Sequence, residues 1–258
     1  MSDQKNIAIV LSAGRGSRMN SDIPKQYMDL CGMPVIVWSL KAFQEFDPVD
    51  EIILVTSPED IEYCRCEIIE KYRYDKVRRI VPGGAERYLS VWEGLKAAGE
   101  ILGSGNGIIV SADQTETTPA RNGIQEPVIF IHDGARPMID RPILERALRC
   151  ALEHSACVVG MPVKDTIKIA DEEGFAQQTP DRRLVWQIQT PQVFSFSLVY
   201  NAYRKLIEDG VTAVTDDAMV VELESSVRVK LVEGSYRNLK ITTPEDIAIA
   251  MSLMKDNK

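Results

Sequence analysis

Histidine occurs only twice, as His132 and His154, and the five cysteines include no CxxC pair. A structural zinc site needs four such ligands at close spacing, so this shortage argues against one. Cys31, Cys64, Cys66, Cys150 and Cys157 instead read as reduced structural thiols of a cytosolic protein. No serine or cysteine stands near a histidine in a pattern that would activate a nucleophile. Net positive charge is also lacking: 38 Asp and Glu outnumber 30 Lys and Arg, a formal net charge of −8 over 258 residues. That sign disfavours nucleic acid and anionic membrane surfaces, which attract basic patches. No apolar run reaches the roughly 18 residues of a membrane span, and no basic-then-apolar leader is visible, so a cytoplasmic location is expected. Nothing resembling an interdomain linker interrupts the chain, and one domain over 1–258 is the simplest reading.

What the chain does contain is a repeating alternation. Asn6 to Leu11, Glu51 to Thr56, Val128 to His132 and Cys157 to Pro162 are short apolar runs, as buried parallel strands require. Helical patterns separate them and open at Pro34, at Ser57-Pro58-Glu59-Asp60 and at Thr243-Pro244-Glu245-Asp246, with caps, acids and prolines in the first turn. The alternation predicts an α/β fold, a mostly parallel sheet with helices on both faces. Two segments break the rhythm. Residues 103–127 are rich in Gly, Thr, Asn and Pro and read as a long mobile insertion, far beyond the usual four to six residues of a connection. Residues 164–187 are polar, with β-like pieces around Thr166 to Ala170 and Leu184 to Gln187, and read as a projecting arm that needs a partner.

The most informative run is Leu11-Ser12-Ala13-Gly14-Arg15-Gly16-Ser17-Arg18-Met19, followed by Pro24-Lys25-Gln26. Glycines after a buried strand let backbone N–H groups converge on phosphate oxygens, and Arg15, Arg18 and Lys25 add counter-charge. A dinucleotide loop would want a third glycine where Met19 stands, and a P-loop would want Gly-Lys-Ser/Thr. What remains is a grip for a nucleoside triphosphate. His132-Asp133-Gly134-Ala135-Arg136-Pro137 ends another apolar strand, where Asp133 is either a magnesium ligand or a turn-capping partner of Arg136. Asp113 closes a similar run inside the insertion and is the weaker candidate. Gly83-Gly84, with Ser90 in the following helix, is either a plain turn or a place where backbone amides read a base edge. Scattered threonines and cations at Thr166, Arg182, Thr190, Thr215 and Lys240 suit a small phosphorylated, hydroxylated acceptor.

These blocks together resemble one family, the 2-C-methyl-D-erythritol 4-phosphate cytidylyltransferases. The likeness is carried by Ala13-Gly14-x-Gly16-x-Arg18-Met19, Pro24-Lys25-Gln26-Tyr27, Gly83-Gly84-x-Glu86-Arg87-x-x-Ser90-Val91 and His132 to Pro137. It continues through Pro162 to Lys168, Gln189-Thr190-Pro191-Gln192-x-Phe194, Thr215-Asp216-Asp217-Ala218 and Asn238-Leu239-Lys240-x-Thr242-x-Pro244-Glu245-Asp246. The resemblance implies a Rossmann-like nucleotidyltransferase fold and a homodimer in which arms at about 164–187 are exchanged. It implies transfer of CMP from CTP to a small sugar-alcohol phosphate, 2-C-methyl-D-erythritol 4-phosphate, in the non-mevalonate isoprenoid pathway, with Mg2+ as cofactor. Carried over by motif, Arg18 and Lys25 stabilise the transition state, Arg182 and Lys240 position the acceptor phosphate, and Asp133 binds the metal. Leu11, Ser12, Ala13, Gly14, Gly16, Gly83, Gly84 and Ser90 hold the nucleotide, and Arg136, Thr166, Thr190 and Thr215 line the acceptor site. Two departures stand out: Leu11-Ser12-Ala13-Gly14 where the family more often has Pro-Ala-Ala-Gly, and Arg237 as an extra cation near Lys240. The competing expectations are a ribitol 5-phosphate cytidylyltransferase and a non-catalytic nucleotide-sugar binding protein.

Overall fold

The computed structural model describes residues 5–14, 19, 23–106 and 126–255, apart from the side chains of 104–106. In chain order, β1 (Ile7–Ser12) leads to the small hairpin of β2 (Asp29–Leu30) and β3 (Met33–Pro34), then to α1 (Val35–Gln44) and β4 (Glu51–Thr56). A 3-10 turn, the short α2 (Ile61–Tyr63) and a π-helical stretch over Cys64–Glu70 precede β5 (Val77–Pro82) and α3 (Arg87–Asn106). After the insertion come β6 (Val128–Asp133), α4 (Arg141–His154) and β7 (Ala156–Pro162). The arm strands β8 (Ile169–Ala170) and β9 (Ala176–Gln178) are followed by β10 (Trp186–Ser195), α5 (Phe196–Glu208), α6 (Asp217–Glu224), β11 (Lys230–Glu233) and α7 (Pro244–Lys255).

The principal sheet runs β11-β7-β10-β6-β1-β4-β5. Every pairing in it is parallel except those of β10, which is antiparallel to both β6 and β7. The apolar runs are explained by burial on both faces. Ile7 and Ile9 of β1 pack with Val91 and Leu95 of α3 and Val199 and Tyr203 of α5. Ala8 and Val10 face the other way, into Ile36 and Leu40 of α1 and Leu144 and Ala147 of α4. Helices α1 and α7 open at the expected Pro34 and Pro244, and two further helices carry side-chain caps: Asp140 caps α4 by accepting the Ile143 N–H at 3.0 Å, and Asp216 caps α6 by accepting the Met219 N–H at 2.9 Å.

Two expectations are modified. Helix α3 continues through Asn106, so the start of the 103–127 segment is helical, while 107–125, including Asp113, lie outside the described residues. In the arm, Leu184 belongs to a 3-10 turn and Trp186 already starts β10 in the main sheet, where it pairs with Pro162. The second arm strand is instead Ala176–Gln178, because Gly174, at φ +87, turns the chain back onto Ile169–Ala170. Arm residues stand exposed: Phe175 retains 69% and Leu184 81% of their accessible surface. Among the described residues no helix is long and apolar enough to cross a membrane.

Candidate active site

From β1 the sheet grows outward through β4 to β5, and the chain then returns to lay β6 on the opposite side of β1. That reversal opens a crevice beyond the carboxyl ends of β1 and β6, the usual ligand position in open α/β sheets. A pocket of about 190 Å³ lies there, lined by Leu11, Ser12, Ala13, Gly14, Lys25, Gln26, Arg87, Ser90, Asp133, Ala135 and Lys240.

Its wall is held by specific bonds. The Gly83 N–H donates to the Thr56 carbonyl at 2.7 Å, and the Gly84 N–H donates to Ser90 Oγ at 3.1 Å. A Cβ on Gly83 would lie 2.5 Å from Ala13 Cβ and 2.8 Å from Ser90 Oγ, so only glycine lets the two loops approach so closely. On the opposite side of β1, buried Gln26 donates from Nε2 to the Ser12 carbonyl at 2.8 Å. The Tyr27 hydroxyl lies 2.9 Å from Thr56 Oγ1 and 3.2 Å from Cys64 Sγ. Burial pushes the Tyr27 phenol well above its ordinary range, so it stays protonated. The 3-10 turn carrying Lys25 is thereby fixed to the ends of β1 and β4.

Charge is concentrated at Asp133, which is largely buried. Arg87 Nε approaches Oδ1 at 3.3 Å and Lys240 Nζ approaches Oδ2 at 2.8 Å. Burial alone would raise the Asp133 carboxyl, but Arg87 and Lys240 outweigh it and hold it well below the usual carboxylate range. Behind Arg87, fully buried Asp217 accepts from Nη1 and Nη2, each at 2.8 Å. Behind Asp133, the Asp133 backbone N–H donates to Thr190 Oγ1 at 3.1 Å. Arg136 donates from Nη1 to the Asn238 carbonyl at 2.8 Å, and Asn238 Nδ2 donates to the Thr190 carbonyl at 2.9 Å.

Of the residues expected from sequence, Leu11, Ser12, Ala13, Gly14, Lys25, Ser90, Asp133 and Lys240 come together around the pocket, with Gly83 and Gly84 joined to it through Ser90. Thr190 and Arg136 lie in the layer that supports Asp133. Thr166 and Arg182 sit exposed on the arm, where Arg182 Nη1 donates to the Lys164 carbonyl at 3.4 Å. Thr215 is exposed ahead of α6, its hydroxyl 3.6 Å from Met219 Sδ. Arg15, Gly16 and Arg18 lie outside the described residues. Arg237 bonds the Leu253 carbonyl in α7. Sequence reasoning assigned no role to Arg87, Asp217 or Gln26, although each lies inside a block that it singled out.

Asp133 is the single carboxylate among the described lining residues, and these residues contain no cluster of three or more His, Cys, Asp or Glu able to hold an ion. One carboxylate facing a cationic pocket fits a hard cation that takes most of its oxygens from a substrate's phosphates, as magnesium does.

A mostly parallel sheet with a cationic crevice at its switch point, walled by glycine loops, defines an α/β nucleotidyltransferase. A family model described as 2-C-methyl-D-erythritol 4-phosphate cytidylyltransferase matches residues 6–111 and 108–256. A protein of that name from Lachnospira eligens is 47% identical over 251 residues, covering 97% of this chain and 99% of its own. Its counterpart from Caldanaerobacter subterraneus is 44% identical over 243 residues, with coverages of 94% and 96%. The crystal structure of 4-diphosphocytidyl-2C-methyl-D-erythritol synthase from Anaerococcus prevotii aligns with a TM-score of 0.76 at 31% identity, covering 98% of this chain and 96% of that one. The chain belongs to the 2-C-methyl-D-erythritol 4-phosphate cytidylyltransferase family, and it is a cytidylyltransferase of the non-mevalonate isoprenoid route.

Proposed function

We propose that the chain transfers CMP from CTP to the phosphate of 2-C-methyl-D-erythritol 4-phosphate, forming 4-diphosphocytidyl-2-C-methyl-D-erythritol and pyrophosphate in the cytoplasm. The observation that carries the reading is the meeting of Lys25, Arg87 and Lys240 around the single carboxylate of Asp133 at the sheet's switch point. An oxygen of the acceptor phosphate attacks the α-phosphorus, the new P–O bond forms, and the bond to the β-phosphate oxygen breaks. Negative charge then spreads over the equatorial oxygens and the departing pyrophosphate, so fixed cations aimed at them lower the barrier. Lys25, on its pinned turn, and Arg18 serve the transition state. Lys240 is shared with Asp133 and suits the acceptor phosphate. The acceptor is already ionised at neutral pH, so the reaction needs no general base. Asp133 would hold Mg2+ together with the triphosphate, and the ion supplies Lewis-acid charge neutralisation.

Nucleotide selection falls to the wall formed by Leu11 to Gly14, Gly83, Gly84 and Ser90, and Gly16 is assigned to the same task by its motif alone. Arg182 and Thr166 stand on the exposed arm beside Phe175 and Leu184, which supports a homodimer whose exchanged arms bring these residues to a partner's acceptor site. Arg136, Thr190 and Thr215 complete the acceptor side, the first two by holding Asp133 in place. Pyrophosphate release with magnesium, CTP and methylerythritol phosphate tests the reading, with ribitol 5-phosphate as the competing acceptor.

A further inference from the structure

Arg87 is fixed from behind. Its guanidinium fork is spent on both oxygens of Asp217 at 2.8 Å, and the Tyr203 hydroxyl donates to Asp217 Oδ1 at 2.5 Å. Asp217 is fully buried, where a carboxylate persists only with matched charge and hydrogen bonds, and the fork together with the phenol provides both. The edge of Arg87 that remains, Nε, faces Asp133 Oδ1 at 3.3 Å, while Lys240 takes Oδ2 at 2.8 Å. The two cations on Asp133 are therefore unequal. Arg87 is anchored to the core by a bidentate pair, whereas Lys240 is a point charge on a flexible stem. A divalent cation arriving at Asp133 competes with Lys240, the cation not anchored to the core, and would leave it to meet a phosphate.

From this geometry we infer that Arg87 and Asp217 are positioning residues. They pin the Asp133 carboxylate through Oδ1, so that Oδ2 is the oxygen at which Lys240 gives way to the metal accompanying the triphosphate. The inference rests on the metal–CTP reading of the site. Neither residue performs chemistry. Their effect is on how readily Asp133 accepts a cation. Asp217 is not among the residues lining the pocket and the Arg87 guanidinium stands between it and Asp133, so its influence on metal binding passes through Arg87.

The test is Asp217→Asn, which keeps size and removes the charge that orients Arg87. CTP binding is measured by titration calorimetry across a magnesium series, and Mn2+ binding in the presence of CTP by electron paramagnetic resonance. The metal concentration needed for half-maximal CTP binding is expected to rise about tenfold or more, the usual cost of losing an outer-shell partner, while metal-free CTP binding stays unchanged. Arg87→Lys, which cannot span Asp217 and Asp133 together, is expected to shift in the same direction. Tyr203→Phe leaves every charge in place and gives a smaller shift, and it serves as the test should Asp217→Asn fail to fold. A folded variant with the wild-type metal requirement overturns the inference, as does equal weakening with and without metal, which would make Arg87 a direct nucleotide contact. Failure of the wild-type protein to bind CTP at all would instead overturn the functional reading.

Discussion

Thr190 Oγ1 and His132 Nδ1 lie 3.1 Å apart, and the other ring nitrogen of His132, Nε2, faces the Arg136 carbonyl at 3.2 Å. A carbonyl only accepts, so Nε2 carries the ring proton and Nδ1 accepts the Thr190 hydroxyl proton. Thr190 Oγ1 in turn accepts the Asp133 N–H at 3.1 Å. The hydroxyl of Thr190 is thus committed to His132, and its contribution to the site is to hold the backbone of Asp133.

His132 is fully buried, and burial lowers it from the usual 6.5 to about 4. The unfolded chain therefore binds a proton that the folded chain refuses between those values. Stability from this residue is complete above pH 6.5 and is lost as pH falls towards 4, by on the order of 3 kcal/mol. Denaturant unfolding of the substrate-free protein at pH 7, 5.5 and 4 checks this. A His132→Gln variant is expected to show a flatter decline, and parallel declines would assign the loss elsewhere. Asp133, depressed by its cations, adds its own loss only below the ordinary carboxylate range.

Lys25 stands on a turn secured by Gln26 and Tyr27, so its removal should leave the pocket wall intact. Lys25→Ala is expected to lower kcat by about two orders of magnitude or more, as loss of a preorganised stabilising donor does, with little change in the Kd for CTP. Single-turnover kinetics with separate binding titrations distinguish this from loss of ground-state binding, in which rate and affinity would fall together.

Gly83→Ala puts a methyl group against Ala13 Cβ, which cannot retreat without moving backbone, and against Ser90 Oγ, which can turn away only by giving up its bond with the Gly84 N–H. A cost of about 1–3 kcal/mol is expected, read as weaker CTP binding and a lower Tm. The double variant Gly83→Ala/Ala13→Gly relieves the closer of the two contacts and should recover much of the loss. Equal defects in the single and double variants would show that the Ala13 contact is not the cause.

Deleting residues 167–184 removes the exposed arm while sparing Trp186 and the rest of β10. The shortened chain is expected to scatter light as a monomer, to keep its helical circular dichroism, and to lose acceptor turnover because Arg182 goes with the arm. A dimer of undiminished stability would place the subunit contact elsewhere.

Much of the fold is legible in sequence because parallel strands buried on both faces leave unbroken apolar runs, as at Ile7–Ser12 and Val128–Asp133. The edge strand β5 escapes notice because Arg78 and Arg79 point to solvent, and β10 because the polar Gln187, Gln189 and Gln192 interrupt it. Gly14 and Asp133 are legible because they end recognisable strands, and Gly83-Gly84 because the pair precedes a helix. Arg87 and Asp217 are not, since each reads locally as a charged residue in a helix's first turn. Their pairing across 130 residues of chain exists only once α3 and α6 pack onto the same face of the sheet.

The measurement that bears most directly on the central claim is acceptor preference. Pyrophosphate release is followed with CTP and magnesium in the presence of either 2-C-methyl-D-erythritol 4-phosphate or ribitol 5-phosphate at matched concentrations. Rapid release with the first and a kcat/KM lower by at least about tenfold with the second is the predicted result, tenfold being the low end of the discrimination that one added or missing small group produces in a pocket. Preference for ribitol 5-phosphate, or no release with either, would contradict it.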